Sequence, residues 1–182
     1  MPKGKRKQAK KFRLSRWARR RLAWSVGSGA LIVAAVVVGW FAYQAAANLP
    51  GEAIPSLGNA HIQTLTDAHQ PYNSDPPTSG PHVAWIAPWG IHTSPIPKEL
   101  QVHNLEDGGV LVQYNCECPE LAEQLRAIVV GHEKHVILAP YPGTDARIAL
   151  TAWGRIDTLD EFDEKRIVRF ISAFKGIDHH AR

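Results

Sequence analysis

One stretch of the chain is apolar without interruption. Leu22–Ala42 carries no charged residue over 21 positions, and the charge-free interval runs on to Pro50. A helix of that length rises roughly 30 Å, the hydrocarbon thickness of a bilayer. Trp24, Trp40 and Tyr43 lie near its ends, where amphipathic rings favour the membrane interface. The pattern predicts a single-pass transmembrane helix over residues 22–43. Beyond a short linker, the pattern dissolves from 59 to 101. Pro71, Pro76, Pro77, Pro81, Pro88, Pro95 and Pro97 interrupt it, each removing an amide donor and fixing φ. Such a segment is ordered only if packing of Trp85 and Trp89, or a bound metal, pins it.

Periodicity returns near Gly109. Gly109–Tyr114 reads as a strand, and Pro119–Val129 as a helix with Leu121, Leu125 and Ile128 at helical spacing and Pro119 in the first turn. Val136–Ala139 is a second strand, stopped by Pro140-Tyr-Pro-Gly143, and Arg147–Ile156 a third. Thr158 with Glu161 forms a capping-box pattern opening a last helix that ends at Gly176, with Ile167, Phe170, Ile171 and Phe174 on one face. The expected fold class is α+β: an N-terminal transmembrane helix, a Pro/His-rich loop segment and a small β-α-β-β-α domain. The boundaries are a basic tail over 1–21, an anchor over 22–43, a linker over 44–58 and the folded domain over 59–182.

Charge sets the orientation. Residues 1–21 hold 11 of the 21 Lys and Arg and no acid. The remainder sets 10 basic residues against 17 acidic ones, a net of −7 behind an overall +4. An acidic body with a basic tail excludes a nucleic-acid-binding domain. Positive charge stays on the cytoplasmic side, so everything after about Gln44 is expected to be extracytoplasmic. Ala45-Ala46-Ala47 could serve a signal peptidase, but the apolar core is long for a cleaved signal. An uncleaved anchor in the cell membrane is the expectation, with the lipid bilayer and a membrane protein complex as partners.

Two residue types could carry chemistry. Of nine histidines, His61, His69, His82, His92 and His103 fall in or beside the Pro-rich segment. Imidazole suits zinc, copper, nickel or iron, and three rings converging would make a site. Cys116-Glu-Cys118 follows a strand and precedes a helix, whose N-terminus favours a thiolate. The pair could form a readily reduced disulfide, chelate Cu(I), or be a structural bridge outside the cytoplasm. His103-Asn-Leu-Glu106-Asp107-Gly-Gly109 sets an imidazole three residues before a carboxylate, suited to a ligand and its orienting partner. It also reads as a plain surface turn. No Ser-His-Asp order, phosphate-binding loop or glycosidase acid pair stands out, so a hydrolase or kinase is not expected.

From about His61 to His179 the chain resembles the bacterial family known as domain of unknown function 3105. The matching runs are His69-Gln-Pro-Tyr-Asn73, Pro76-Pro-Thr-Ser-Gly-Pro-His82, Val102-His-Asn-Leu-Glu106, Val112–Cys116 and Thr151-Ala-Trp-Gly154. The resemblance implies a membrane-anchored or exported domain with no established reaction. Family members usually carry a second His directly after the Glu of His-Asn-Leu-Glu. Here that position is Asp107, a harder oxygen donor or a lost ligand.

The favoured expectation is a metal-binding extracytoplasmic domain, copper before zinc. His69, His82 and His103 would bind the ion, with Glu106 or Asp107 as ligand or orienting partner and Cys116 and Cys118 as a soft-metal or redox adjunct. One alternative is a non-enzymatic accessory module of a membrane complex with a structural disulfide. The other is a thiol-disulfide oxidoreductase.

Overall fold

A computed structural model describes residues 33–41, 43–44, 48–132 and 134–180. The chain divides into two units, 1–49 and 50–182. In the first, residues 33–41 are helical (α1), with Val33, Val36, Val38, Trp40 and Phe41 exposed. Most of the expected 22–43 span lies outside the described residues. Among those that are described, no helix is long and apolar enough to cross a membrane.

The second unit is α+β. Its elements run β1 (Glu52–Ala53), β2 (His61–Ile62), β3 (His82–Val83), β4 (Gly90–Ile91), α2 (Lys98–Glu106), β5 (Val110–Tyr114), α3 (Pro119–Val129), β6 (Val136–Pro140), β7 (Ile148–Ala152), β8 (Arg155–Leu159) and α4 (Glu164–Phe174). Six strands form one sheet in the order β1-β8-β7-β5-β6-β4, and β2 pairs with β3 separately. β5 and β6 are parallel, joined by α3, whereas β7 runs antiparallel to both β5 and β8.

The central strands are apolar on both faces, which is why β5 and β6 read as continuous hydrophobic runs rather than alternating ones. Val110, Val112, Val136 and Leu138 face Leu121 and Leu125 of α3 and Ile167, Phe170 and Ile171 of α4. Their neighbours Leu111, Ile137 and Ala139 point the other way, against Leu105, Ile96 and Ala87. Three layers result, with α2 and the Pro-rich segment on the second face.

Three sequence expectations need correction. The run Arg147–Ile156 is not one strand but most of a hairpin, β7 and β8, turning at Trp153-Gly154, where Gly154 has φ +64°. A two-residue turn leaves little polar interruption to read. Thr158 lies within β8, so the Thr158–Glu161 capping box does not form. Asp163 caps α4 instead, its side chain accepting from Arg166 N at 3.0 Å. Helix α2 was not expected. Gln101, Val102, His103, Asn104, Leu105 and Glu106 are buried in succession, so no one-sided apolar stripe exists.

Side chains pin the Pro-rich segment. Asn104 acts as a substitute strand partner, Ala87 N donating to its Oδ1 and its Nδ2 donating to Ala87 O, both at 2.9 Å. Tyr72 Oη donates to Pro81 O (2.6 Å) and Asn73 Nδ2 to Pro55 O (2.8 Å). Backbone bonds from Gly80 N to Gly58 O (2.9 Å) and His82 N to Ala60 O (3.0 Å) zip the segment to residues 58–60 of the same unit.

Candidate metal centre

The parallel pair β2–β3 is only two residues long, yet it sets His61 directly beside His82. Their rings meet edge to face at 4.8 Å. Facing them is the last turn of α2. His103 and Glu106 are three positions apart there, the spacing that puts two side chains on one helix face. Gly108 and Gly109 then let the chain turn sharply. A Cβ at Gly108, where φ is +79°, would lie 2.7 Å from Ile177 N, and one at Gly109 would lie 2.4 Å from Asn104 O. That close approach brings residues 176–180 alongside, through Gly176 N to Gly108 O and His179 N to Glu106 O, both 2.8 Å.

Four potential ligand atoms converge at this point, from His61, His82, His103 and Glu106, all within 4.8 Å of one another. Glu106 Oε2 lies 2.9 Å from His82 Nε2, 3.8 Å from His61 Nε2 and 4.0 Å from His103 Nδ1. A tetrahedral ion with bonds near 2.05 Å sets its ligands about 3.4 Å apart, which these distances bracket. The donor set is three imidazoles and one carboxylate. It can hold a metal ion.

Hydrogen bonds around the cluster aim its lone pairs inward. Gly80 O can only accept, so His82 Nδ1 carries the proton it donates at 2.7 Å, and Nε2 faces Glu106. A neutral ring and an ionised carboxylate would both be acceptors there. A cation between them, whether proton or metal, resolves the opposition. Asn59 Nδ2 donates to Glu106 Oε1 at 2.7 Å, leaving Oε2 for the cluster. His103 Nδ1 is buried and has no hydrogen-bond partner. A buried polar atom left so ordinarily costs about 1–3 kcal/mol, and a ligated ion would satisfy it.

The electrostatics favour a cation. Glu106 and Asp107 stand at the C-terminal, negative end of α2. Burial pushes the Glu106 carboxyl up, but the Asn59 amide and the neighbouring His82 and His180 outweigh it and hold it below the usual value. Burial pulls His103 below the ordinary imidazole value against the opposing pull of Asp107, keeping the ring a neutral donor.

The sequence profile of the family described as protein of unknown function DUF3105 matches residues 63–181. The chain belongs to the DUF3105 family. Comparisons with curated proteins and with solved structures find no match.

In this DUF3105 chain the expected site residues separate into two groups. His82, His103 and Glu106 meet in the cluster, and Asp107 lies beside it, with Oδ1 3.9 Å from His103 Nε2. His69 stands apart, its Nε2 3.4 Å from Glu99 Oε1 and its ring against Tyr72. Cys116 and Cys118 are bonded to each other and pack on the core at the N-terminus of α3. They lie past the far end of β5 from Asp107, roughly 17 Å at the usual rise per strand residue. A disulfide offers no thiolate to a soft ion.

Two residues of the cluster region were not expected. His61 joins through a two-residue strand pairing that carries no sequence period, and it lies just before the residues the family profile matches. His180 Nε2 lies 3.4 Å from Glu106 Oε2 and 3.6 Å from Asp107 Oδ1. The Gly108-Gly109 pair was the available signal for it, since two glycines after a helix end mark a close approach of backbone.

Proposed function

We propose that this protein is a membrane-anchored, extracytoplasmic metal-binding domain that holds a divalent transition-metal ion at His61, His82, His103 and Glu106. The observation that carries the reading is the buried, unpartnered Nδ1 of His103, turned toward a carboxylate and two further rings. Imidazole and carboxylate together suit Cu(II) and Zn(II), and the Irving–Williams order puts copper first. Cu(I) bound through Cys116 and Cys118 is disfavoured, because their sulfurs are engaged with each other. The role is to hold or hand on an ion, with the disulfide bracing the start of α3. Support for the anchor and orientation comes from the charge-free 22–50 interval behind eleven basic residues, and from the exposed apolar side chains of α1.

The test is metal content of the full chain, purified in mild detergent and dialysed, measured by elemental mass spectrometry beside a His61→Ala/His82→Ala/His103→Ala variant. Tightly held metal that disappears in a variant with unchanged circular dichroism is the expected result. No metal, and no uptake of Cu(II) or Zn(II) at micromolar concentration, overturns the proposal.

A further inference from the structure

The His103 ring has a second nitrogen, and it faces a different set of groups. Nδ1 looks toward Glu106, whereas Nε2 lies 3.9 Å from Asp107 Oδ1. Asp107 Oδ1 is in turn 3.6 Å from His180 Nε2. The ligand atoms of His103, Asp107 and His180 all lie within 4.8 Å of one another.

His180 is anchored through one ring nitrogen and its backbone amide. Its Nδ1 donates to Asp178 Oδ1 at 2.7 Å, and its backbone N donates to the same oxygen at 2.9 Å. A carboxylate on one imidazole nitrogen fixes the tautomer and turns the other nitrogen's lone pair outward, the usual arrangement behind a metal-ligating histidine. The backbone is fastened to the end of α2 by His179 N to Glu106 O, and the His179 ring stacks on Trp153 at 5.9 Å. The same His180 Nε2 lies 3.4 Å from Glu106 Oε2, so it stands at the border of the inner cluster. His180 and Asp107 are partly solvent-exposed, which gives an ion a way in.

We propose that His103 Nε2, Asp107 and His180 form a second site for a divalent transition-metal ion, with the His103 ring shared between the two ions. This rests on the inner site proposed above. Each ion takes one nitrogen of the ring, and they sit on opposite edges of it. When both nitrogens are ligated, the ring's remaining N–H proton leaves to water. The outer ion then has three protein ligands and an open position, whereas the inner one has four. The outer site is therefore the one at which an ion enters or is exchanged.

The test is stoichiometry on the full chain in detergent, titrated with Zn(II) and separately with Cu(II), beside Asp107→Asn and His180→Ala. The expected result is two equivalents for the native chain and one for each variant, with unchanged circular dichroism. Two variants of different size guard against a folding defect in either. One equivalent in all three proteins overturns the outer site and leaves the inner one standing; no binding in any overturns both. The shared ring has its own signature. With two equivalents of Cu(II), an imidazole bridge couples the spins and depresses the electron paramagnetic resonance intensity well below twice the one-equivalent value. Two full-intensity signals overturn the bridge.

Discussion

Replacing Glu106 with Gln separates a ligand from a structural ion pair. The amide keeps the shape of the carboxylate, its oxygen accepting from Asn59 and its NH2 donating to His82 Nε2 in place of the contact now made at 2.9 Å. Both hydrogen bonds survive, so metal-free stability is expected to change by less than about 1 kcal/mol. The amide cannot replace the only anion among the four inner ligands. Loss of a supporting group around a metal weakens binding about 10–100-fold, so losing a direct ligand reaches at least the upper value. Zinc at a thousand times its dissociation constant stabilises the native chain by about 4.1 kcal/mol, and the same concentration stabilises the variant by about 1.4 kcal/mol. For a unit of about 130 residues the unfolding entropy is about 0.27 kcal/mol/K, so the zinc-induced shifts in Tm are about 15 °C and about 5 °C. Differential scanning fluorimetry with and without zinc reads both. A variant that keeps the full zinc shift refutes Glu106 as a ligand. A metal-free loss of about 3–5 kcal/mol, the usual cost of breaking a buried pair, would mark Glu106 as a structural charge instead.

Asn104→Ala removes both bonds to Ala87 and leaves a buried amide and carbonyl unpaired, so a loss of about 2–5 kcal/mol in urea unfolding is expected; a change below about 1 kcal/mol refutes the clamp. Cys116→Ser/Cys118→Ser opens a very short loop and should cost about 1–2 kcal/mol while leaving metal content unchanged, since the pair lies across the length of β5 from the cluster; loss of metal refutes that separation. His103 and His179 are held below the ordinary imidazole value, chiefly by burial, so the unfolded chain binds more protons than the folded one as pH falls through the unfolded value near 6.5. Their contribution is present above that value and lost below it, so metal-free stability should fall between pH 7.5 and pH 5.5. His180 is raised, foremost by its hydrogen bond to Asp178, and works in the opposite sense, so His180→Ala should steepen the fall. A flat or rising profile in denaturant unfolding refutes the assignment.

The sheet and its covering helices were legible because they obey simple periods. Pro119–Val129 is a helix with the bounds its apolar spacing indicates, and β5 and β6 lie where continuous apolar runs occur. The metal centre was legible only in part. His103 and Glu106 share a helix face, and three positions of spacing suffice to see that. The helix itself was hidden, because it buries Gln101, His103, Asn104 and Glu106 among its apolar residues, and those polar groups are there to fasten a loop and build a site. His61 and His82 become neighbours through strand register across 21 positions, which no local pattern encodes. His69 sits in an equally suggestive motif and stands elsewhere, since loop direction among prolines is decided by side-chain clamps such as Tyr72 and Asn104.

Glu106 is gripped by Asn59 from 47 positions away and by His82 from 24, while β1 pairs with β8 at the far side of the unit. The segment from Glu52 to Ile62 is therefore fastened at several separate places, none of which depends on the exposed turn around Thr64–Asp67 that follows it. Cutting the peptide bond at that turn would divide the chain in two without dividing the particle. The amino-terminal piece would remain attached by two strand pairings, the Asn59 side chain and the bonds to Pro55 O and Gly58 O, much as a keyed part stays in its lock after its tether is cut.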